Sequence, residues 1–173
     1  GGFDLVAQGM SGLMSITGED RNKPPMKVGA PLTDITAGLL AASGILAAII
    51  HRDKTGEGQK VDTSLFEAGI VHTYWQSAIA GATGVSPGPL GSAHPLTAPY
   101  QAFKTKDKWI TVGASNQNTW LMLLKAIDRE DLNNNEKFSS NSSRKKNLKE
   151  LVEILNEELI KKTSKEWLKI FDE

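Results

Sequence analysis

The 173-residue sequence predicts an α/β fold in two parts, on three observations. An apolar run rich in alanine and glycine covers residues 35–50 and is typical of a helix packed against other elements. Residues 83–99 are dense in glycine and proline, a composition that marks loops and domain boundaries. After them, two short apolar runs flank a polar turn, which predicts a β-hairpin.

The first part, residues 1–85, is predicted to be mainly helical. A short helix is expected around residues 5–13, and a long one from Asp34 to about Arg52, where Gly56 and Gly58 follow as termination signals. Because this long helix is apolar but shorter than a bilayer span, we predict a buried core helix. Gly38 and Gly44 in its interior each cost about 1 kcal/mol relative to alanine, which suggests tight packing against another element.

A strand and a second helix should complete the first part. Residues 59–63 have the composition of a short strand. Ser64 and Glu67 have the spacing of a capping box, which should begin a helix that ends near Ala82.

The second part is predicted as a small α+β domain, residues 100–173, after a linker of residues 86–99. The hairpin strands are residues 100–103 and 109–112, and a helix follows at residues 118–127. Residues 133–143 are polar and are expected to form a surface loop. An amphipathic helix should then carry Leu148, Leu151, Val152, Leu155 and Leu159 on one face. Thr163 and Glu166 match a second capping box, beginning a helix with Trp167, Leu168 and Phe171 inward.

Composition excludes several classes of function. Lysine plus arginine equals aspartate plus glutamate, 20 of each, so no broad basic surface indicates nucleic acid or an anionic membrane. Cysteine is absent, which removes disulfides, thiolate metal sites and a cysteine nucleophile. No spacing of His, Asp and Glu matches a metal site, and no phosphate-binding glycine motif is present. No signal peptide is visible, and we expect the sequence to be an internal piece of a longer protein.

The strongest candidate for a functional residue is Asp34. It lies where a segment bent by glycine and proline meets the apolar helix, and an acid there has either a capping or a chemical role. Helix-end N–H groups favour the ionised carboxylate, whereas burial against Leu32 and Ile35 would oppose ionisation. An accessible carboxylate could act as a nucleophile or carry a proton, and the pattern leaves these roles open.

The other polar candidates have simpler interpretations. His51 is expected to be a solvated charge near a helix end, His72 a hydrogen-bonded core histidine, and His94 a turn-stabilising residue. The basic run from Arg144 to Lys146 is predicted to be a solvated helix start.

Several motifs in a fixed order resemble the class III CoA-transferase family, which also includes formyl-CoA transferase and α-methylacyl-CoA racemase. The motifs are Phe3-Asp4-x-x-Ala7-Gln8, Pro24-Pro25-x-Lys27-Val28-Gly29, Asp34-x-x-Ala37-Gly38, His51-Arg52-x-Lys54-Thr55-Gly56 and Ser64-Leu65-Phe66-Glu67-Ala68. Downstream, Ala93-His94-Pro95 and Ala98-Pro99-Tyr100-Gln101-Ala102-Phe103 look like the smaller domain of the same family. The similarity covers essentially the whole chain.

The resemblance implies part of a Rossmann-like large domain followed by most of a smaller α+β domain. Asp34 falls on the family's catalytic aspartate, which attacks an acyl-CoA thioester, forms an aspartyl acyl anhydride and then becomes an aspartyl-CoA thioester. Phe3, Gln8 and Gly29 are expected to line the substrate site. Coenzyme A thioester is then a substrate, and no permanently bound cofactor or metal is implied.

The family also offers rival functions. Its racemases use the matching aspartate with a histidine where this chain has Phe3, and phenylalanine cannot carry a proton. A transferase is therefore favoured, closest in appearance to members that use succinyl-CoA. The alternatives are an acyl-CoA racemase or isomerase of the same family, or a non-catalytic scaffold that binds an acyl-CoA or a partner. The resemblance further implies an interlocked homodimer, with no nucleic-acid or membrane partner. We expect a cytoplasmic protein, or a mitochondrial matrix one in a eukaryote, and an isolated fragment without activity.

Overall fold

The computed structural model describes residues 2–172 and divides the chain into two compact units. The first unit ends at Gly91 and the second begins at Ser92, a boundary inside the segment 86–99. The predicted mixture of helix and sheet is confirmed, although all of the described sheet lies in the second unit.

From residue 2 onward, the first unit contains four helices: α1 (Asp4–Met10), α2 (Leu13–Ile16), α3 (Leu32–Thr55) and α4 (Leu65–Thr83). The capping box predicted for α4 is present, with the Ser64 hydroxyl accepting from the amide of Glu67 and the Glu67 carboxylate accepting from the amide of Ser64. The strand predicted at residues 59–63 is wrong. A strand needs a hydrogen-bonded neighbour, and within residues 2–172 the two strands of the hairpin pair only with each other.

Glycine allows close approach at two points of the first unit. A Cβ added at Gly44 of α3 would lie 2.7 Å from Cγ1 of Val61, so the chain after α3 folds back against this helix. A Cβ at Gly69 of α4 would lie 2.7 Å from Cβ of Ser11, which brings α4 against the turn between α1 and α2. The tight packing predicted at Gly38 is wrong for the described residues, none of which comes within 4 Å of its Cβ position.

The helix α3 is largely exposed in this chain, and the prediction of a buried core helix is therefore wrong for the residues described. Only Thr33 and Ala37 of α3 are buried, because α4 and α1 cover a single stripe of it. Its exposed large apolar residues are Ile35, Leu39, Leu40, Ile45, Leu46, Ile49 and Ile50. By length and composition alone, this 24-residue helix is long and apolar enough to cross a membrane, a test that core helices of soluble proteins also pass.

The second unit is built on the predicted hairpin. Strands β1 (Tyr100–Lys104) and β2 (Trp109–Gly113) pair antiparallel, with Ala102 opposite Thr111. Helices follow in the order α5 (Gln117–Ala126), a 3-10 helix (Glu130–Asn134), α6 (Asn141–Lys146), α7 (Leu148–Leu159) and α8 (Ser164–Asp172). The surface loop predicted at residues 133–143 is thus shorter than expected, since helical turns occupy both of its ends.

The hydrophobic core of the second unit joins the hairpin to its helices. Phe103, Trp120, Phe138, Leu155 and Trp167 are all buried there. Trp167 packs inward as predicted, and its indole N–H donates to the carbonyl of Leu159 at 2.7 Å.

Two predictions for this unit are wrong. Leu168 is 53% exposed, because it lies about 100° around α8 from the buried Trp167 and beside the stripe that packs on the core. Arg144 is not a solvated residue at a helix start: it lies in the last turn of α6 and is completely buried. Its guanidinium group donates to the carbonyl oxygens of Ala98 and Phe138 and lies 4.8 Å from the ring centre of Trp120.

Candidate active site at the start of α3

Asp34 is the third residue of α3 and is exposed to solvent. The residue that precedes the helix is Pro31, and the Asp34 side chain makes no hydrogen bond or ion pair with any residue in the range 2–172. Of the two roles left open for Asp34, capping of α3 is therefore wrong for the described residues. Its carboxylate stands in the first turn, where N–H groups create a positive potential, without being tied to them.

The capping role belongs to Asp4 of α1. Its Oδ1 atom accepts hydrogen bonds from the backbone N–H of Thr33 at 3.1 Å and from the Thr33 hydroxyl at 2.8 Å. Thr33 is the second residue of α3, so its amide is one of the groups that a helix leaves unpaired. A carboxylate on another helix, α1, thus stabilises the start of α3 in the way that the side chain of a preceding residue would.

Gln8, on the next turn of α1, completes this arrangement. Its side-chain amide donates to Oδ2 of Asp4 at 2.8 Å, and its Oε1 accepts from the backbone N–H of Val28 at 2.9 Å. Gln8 and Thr33 are both completely buried. In this chain Gln8 therefore holds the loop before α3, rather than presenting its amide to solvent.

Asp4 is ionised at neutral pH. Burial opposes its ionisation, but the hydrogen bonds from the Thr33 hydroxyl, the Thr33 amide and Gln8, with the charge of Lys27, together hold the pKa of Asp4 below its usual value. Lys27 itself donates to the carbonyl oxygens of Val28 and Gly29, at 3.0 and 3.2 Å.

The four residues selected from the sequence are tied to one region by this network. Phe3 precedes Asp4, Gly29 follows Val28, and Asp34 follows Thr33, so each is next to a residue that the network fixes. Phe3 is 79% exposed, and a Cβ at Gly29 would meet no described atom within 4 Å. Both positions are open among the described residues.

Sequence analysis missed Asp4 and Thr33. Asp4 stands within the quoted motif, but no local pattern links it to a residue 29 positions away. One indication was available. The residue before α3 is Pro31, whose side chain cannot accept a hydrogen bond from a helix amide, so a cap had to come from elsewhere in the chain.

Two of the three histidines make hydrogen bonds that fit their predicted roles, and the third is exposed. The Nδ1 atom of His94 accepts from the amides of Leu96 and Thr97, at 3.1 and 3.2 Å, so the predicted turn-stabilising role is confirmed. His72 is half-buried, and its Nε2 is hydrogen-bonded to the Thr36 hydroxyl at 2.7 Å. His51 is exposed near the end of α3.

Asp34 does not line any of three grooves found among the described residues. Two belong to the second unit: one of about 650 Å³ between β2, α5 and α8, and one of about 450 Å³ between α5 and the 3-10 helix. The third, of about 330 Å³, lies along the C-terminal half of α3. No group of three or more His, Asp and Glu side chains within residues 2–172 could hold a metal ion.

The sequence matches a known protein family over its whole length. CoA-transferase family III matches the chain over residues 1–173. The chain belongs to this family. The human succinyl-CoA:glutarate CoA-transferase is 37% identical over 99% of the chain, and the succinyl-CoA:mesaconate CoA-transferase of Haloarcula hispanica is 39% identical over 75% of it.

Solved structures agree with the family assignment. A CaiB/BaiF family protein from Brucella suis superposes with a TM-score of 0.80 at 32% identity, covering 99% of this chain and 45% of that protein. The chain spans 39% of the human relative and 33% of the archaeal one. It therefore contains less than half the length of the family members that it matches.

Proposed function

We propose that the full-length family III protein transfers CoA from an acyl-CoA donor to a carboxylic acid, with Asp34 as the nucleophile. The observation that carries this proposal is the state of Asp34, an exposed carboxylate in the first turn of α3 that is free of intramolecular partners among the described residues. A capping aspartate would be bound to the helix amides, and here Asp4 has that role. Family membership supports the choice of reaction.

In the proposed first half-reaction, the Asp34 carboxylate attacks the thioester carbonyl and releases CoA thiolate, leaving an aspartyl acyl anhydride. The thiolate then attacks the aspartyl carbonyl. The donor acid departs with one oxygen of Asp34, and an aspartyl-CoA thioester remains. Backbone N–H groups near the first turn of α3 would stabilise the oxyanions that form during these steps.

The second half-reaction reverses these steps with the acceptor. The acceptor carboxylate attacks the aspartyl-CoA thioester and forms a new anhydride, with release of CoA thiolate. Attack of the thiolate on the acceptor carbonyl gives the new acyl-CoA and restores Asp34. One oxygen of the restored carboxylate therefore comes from the acceptor.

The names of the relatives suggest which substrates to test first. Succinyl-CoA is named as substrate for the human and archaeal proteins, with glutarate and mesaconate as their other substrates. We propose succinyl-CoA as donor and a dicarboxylic acid as acceptor. Phe3 and Gly29 remain the proposed lining positions, whereas the burial of Gln8 favours an indirect role. A homodimer in the cytoplasm is the proposed setting.

The proposal is tested by trapping the activated carboxylate. Full-length protein incubated with succinyl-CoA and hydroxylamine should carry a hydroxamate on Asp34, detected by mass spectrometry of its peptides. Asp34→Asn should form no adduct and should lower turnover by at least about 10³-fold, because an amide is a poor nucleophile. Its thermal midpoint should match the wild type, since the Asp34 side chain makes no hydrogen bond to the described residues.

Asp53→Asn is the matched control, because it removes an exposed carboxylate from the other end of the same helix. It should retain both adduct formation and turnover. An adduct that persists in Asp34→Asn would contradict the proposal. Entry of solvent deuterium at a substrate α-carbon, without any adduct, would instead support a racemase.

A further inference from the structure

We propose that Asp4 is a positioning residue for Asp34, an inference that rests on the proposed function of Asp34. The Asp4 carboxylate accepts a hydrogen bond from the backbone N–H of Thr33, which would otherwise be unpaired, and so fixes the first turn of α3. Asp34 is thereby held in place through the backbone, while its own carboxylate stays available for the thioester.

The geometry gives Asp4 two independent attachments to the residue beside the nucleophile. One oxygen, Oδ1, accepts both the backbone N–H and the hydroxyl of Thr33, which fixes the main chain and the side chain of that residue together. Because Thr33 and Asp34 share a peptide bond, a shift of Thr33 moves the Asp34 carboxylate. Misplacement of a reacting group by about 1 Å can cost about 100-fold in rate.

Other groups fix the position of the Asp4 side chain through hydrogen bonds and charge. Gln8 binds its second oxygen, Oδ2, and is anchored in turn to Val28. Lys27 contributes the nearby positive charge. On α4, which packs against both α1 and α3, Glu67 is bound to Ser64 and His72 to Thr36, so each of these titratable groups has a partner of its own.

The alternative is that Asp4 only stabilises the fold, and kinetics separate the two roles. A positioning residue acts on the chemical step after acyl-CoA has bound. Its loss should therefore lower the maximal rate of adduct formation without weakening substrate binding to the same extent. A residue that only stabilises α3 changes the fraction of folded protein and leaves the rate per folded molecule unaltered.

The experiment measures the rate of hydroxamate formation on Asp34 in the full-length protein, at several concentrations of succinyl-CoA and well below the thermal midpoint. Asp4→Ala should lower the saturated rate by about 10- to 100-fold, while the half-saturating concentration changes by less than about 3-fold. Asp4→Asn keeps an oxygen for Thr33 and should stay within about 5-fold of the wild-type rate.

Ser64→Ala is the matched control for stability. It removes the capping box of the neighbouring helix α4 and should lower the thermal midpoint about as much as Asp4→Ala does, with the trapping rate unchanged. If Asp4→Ala does not fold, Thr33→Val serves instead, because it deletes only the 2.8 Å hydroxyl bond and retains the amide bond. That variant should trap about 3- to 10-fold more slowly.

The outcomes separate the two proposals. Wild-type trapping rates in Asp4→Ala, or in Thr33→Val where the alanine variant is unfolded, would overturn the positioning role and leave Asp34 as the nucleophile. A wild-type protein that never forms an adduct on Asp34 would overturn the proposed function, and the role of Asp4 with it.

Discussion

Arg144 is a fully buried cation whose hydrogen bonds within residues 2–172 go to neutral acceptors. Its Nε donates to the carbonyl of Ala98 at 2.7 Å, and its Nη1 donates to the carbonyl of Phe138 at 3.0 Å and to Oε1 of Gln117 at 3.1 Å. Burial lowers the pKa of this guanidinium group from its ordinary value. Arg144 therefore ties the loop before β1 to the helices of the second unit, at a cost in desolvation.

Replacing Arg144 by methionine should destabilise the protein strongly. The two carbonyl oxygens would lose their buried donors, and each such loss costs about 1–3 kcal/mol. We expect a decrease of about 2–4 kcal/mol in the free energy of unfolding of the second unit, measured by urea denaturation followed by circular dichroism. Lys146→Met, at an exposed position of the same helix, should change it by less than about 0.5 kcal/mol. Equal effects of the two substitutions would refute this account of Arg144.

Residue-scale predictions from the sequence succeeded where the interaction is local. The role of His94 and the capping box of Ser64 and Glu67 involve partners within three positions. The burial of Arg144 and the capping of α3 by Asp4 involve partners 46 and 29 positions away, respectively. Such pairs depend on tertiary packing, which a single sequence does not display.

At the scale of elements, the start of α8 is stabilised by two carboxylates, one from α8 itself and one from the hairpin turn. The predicted capping box is present, with Glu166 accepting from the amide of Thr163 at 2.8 Å and from its hydroxyl at 2.7 Å. Asp107, from the turn of the hairpin, accepts from the amide of Ser164 at 2.7 Å. The hairpin turn is thus fastened to the start of the last helix.

The start of α8 should therefore loosen in acid. Hydrogen bonds from the Ser164 amide hold the pKa of Asp107 below its usual value of 3.8, and those from Thr163 hold the pKa of Glu166 below 4.5. A carboxylate with a lowered pKa stabilises the folded state above its unfolded pKa, and the effect is lost as pH falls through the folded pKa. Hydrogen exchange in the first turn of α8, corrected for intrinsic rates, should be faster at pH 3 than at pH 6. The contrast should shrink in Asp107→Asn, whereas an identical contrast in that variant would contradict this role.

At the level of elements, hydrophobic periodicity located most helices and the hairpin of the fold. The wrong strand at residues 59–63 had suitable composition but no neighbouring strand among the described residues with which to pair. The prediction that α3 is buried followed from its apolar sequence alone, and periodicity does not show what covers a helix.

For the molecule as a whole, the exposed apolar surface of α3 is the main unexplained feature. Exposed apolar residues in this number usually mark a surface that another part of the protein or a partner covers. The chain spans only 39% of its human relative, so most of the family fold is not represented in it. Because a single sequence does not show what packs against a helix, the exposure of α3 could not be predicted from its apolar pattern.

Polar substitutions on the exposed face of α3 should reduce aggregation of the isolated chain but destabilise the full-length protein. The double variant Leu39→Ser, Leu46→Ser removes two of the most exposed leucines of α3. In the isolated chain it should reduce aggregation, measured by size-exclusion chromatography. In the full-length protein it should lower the thermal midpoint, since burial of each leucine contributes about 1.5–3 kcal/mol. Leu168→Ser, at an exposed position of α8, is the control, and an unchanged midpoint in both full-length variants would show that α3 stays uncovered.

The most direct test of the central claim follows oxygen atoms. Full-length protein would turn over succinyl-CoA with glutarate labelled with ¹⁸O in both carboxylates, and the peptide containing Asp34 would be analysed by mass spectrometry. The proposed mechanism predicts that Asp34 gains one ¹⁸O from the acceptor in the first turnover and up to two after repeated turnovers, and that no other carboxylate of the protein gains any. Formation of glutaryl-CoA with no label in Asp34 would contradict its role as the nucleophile.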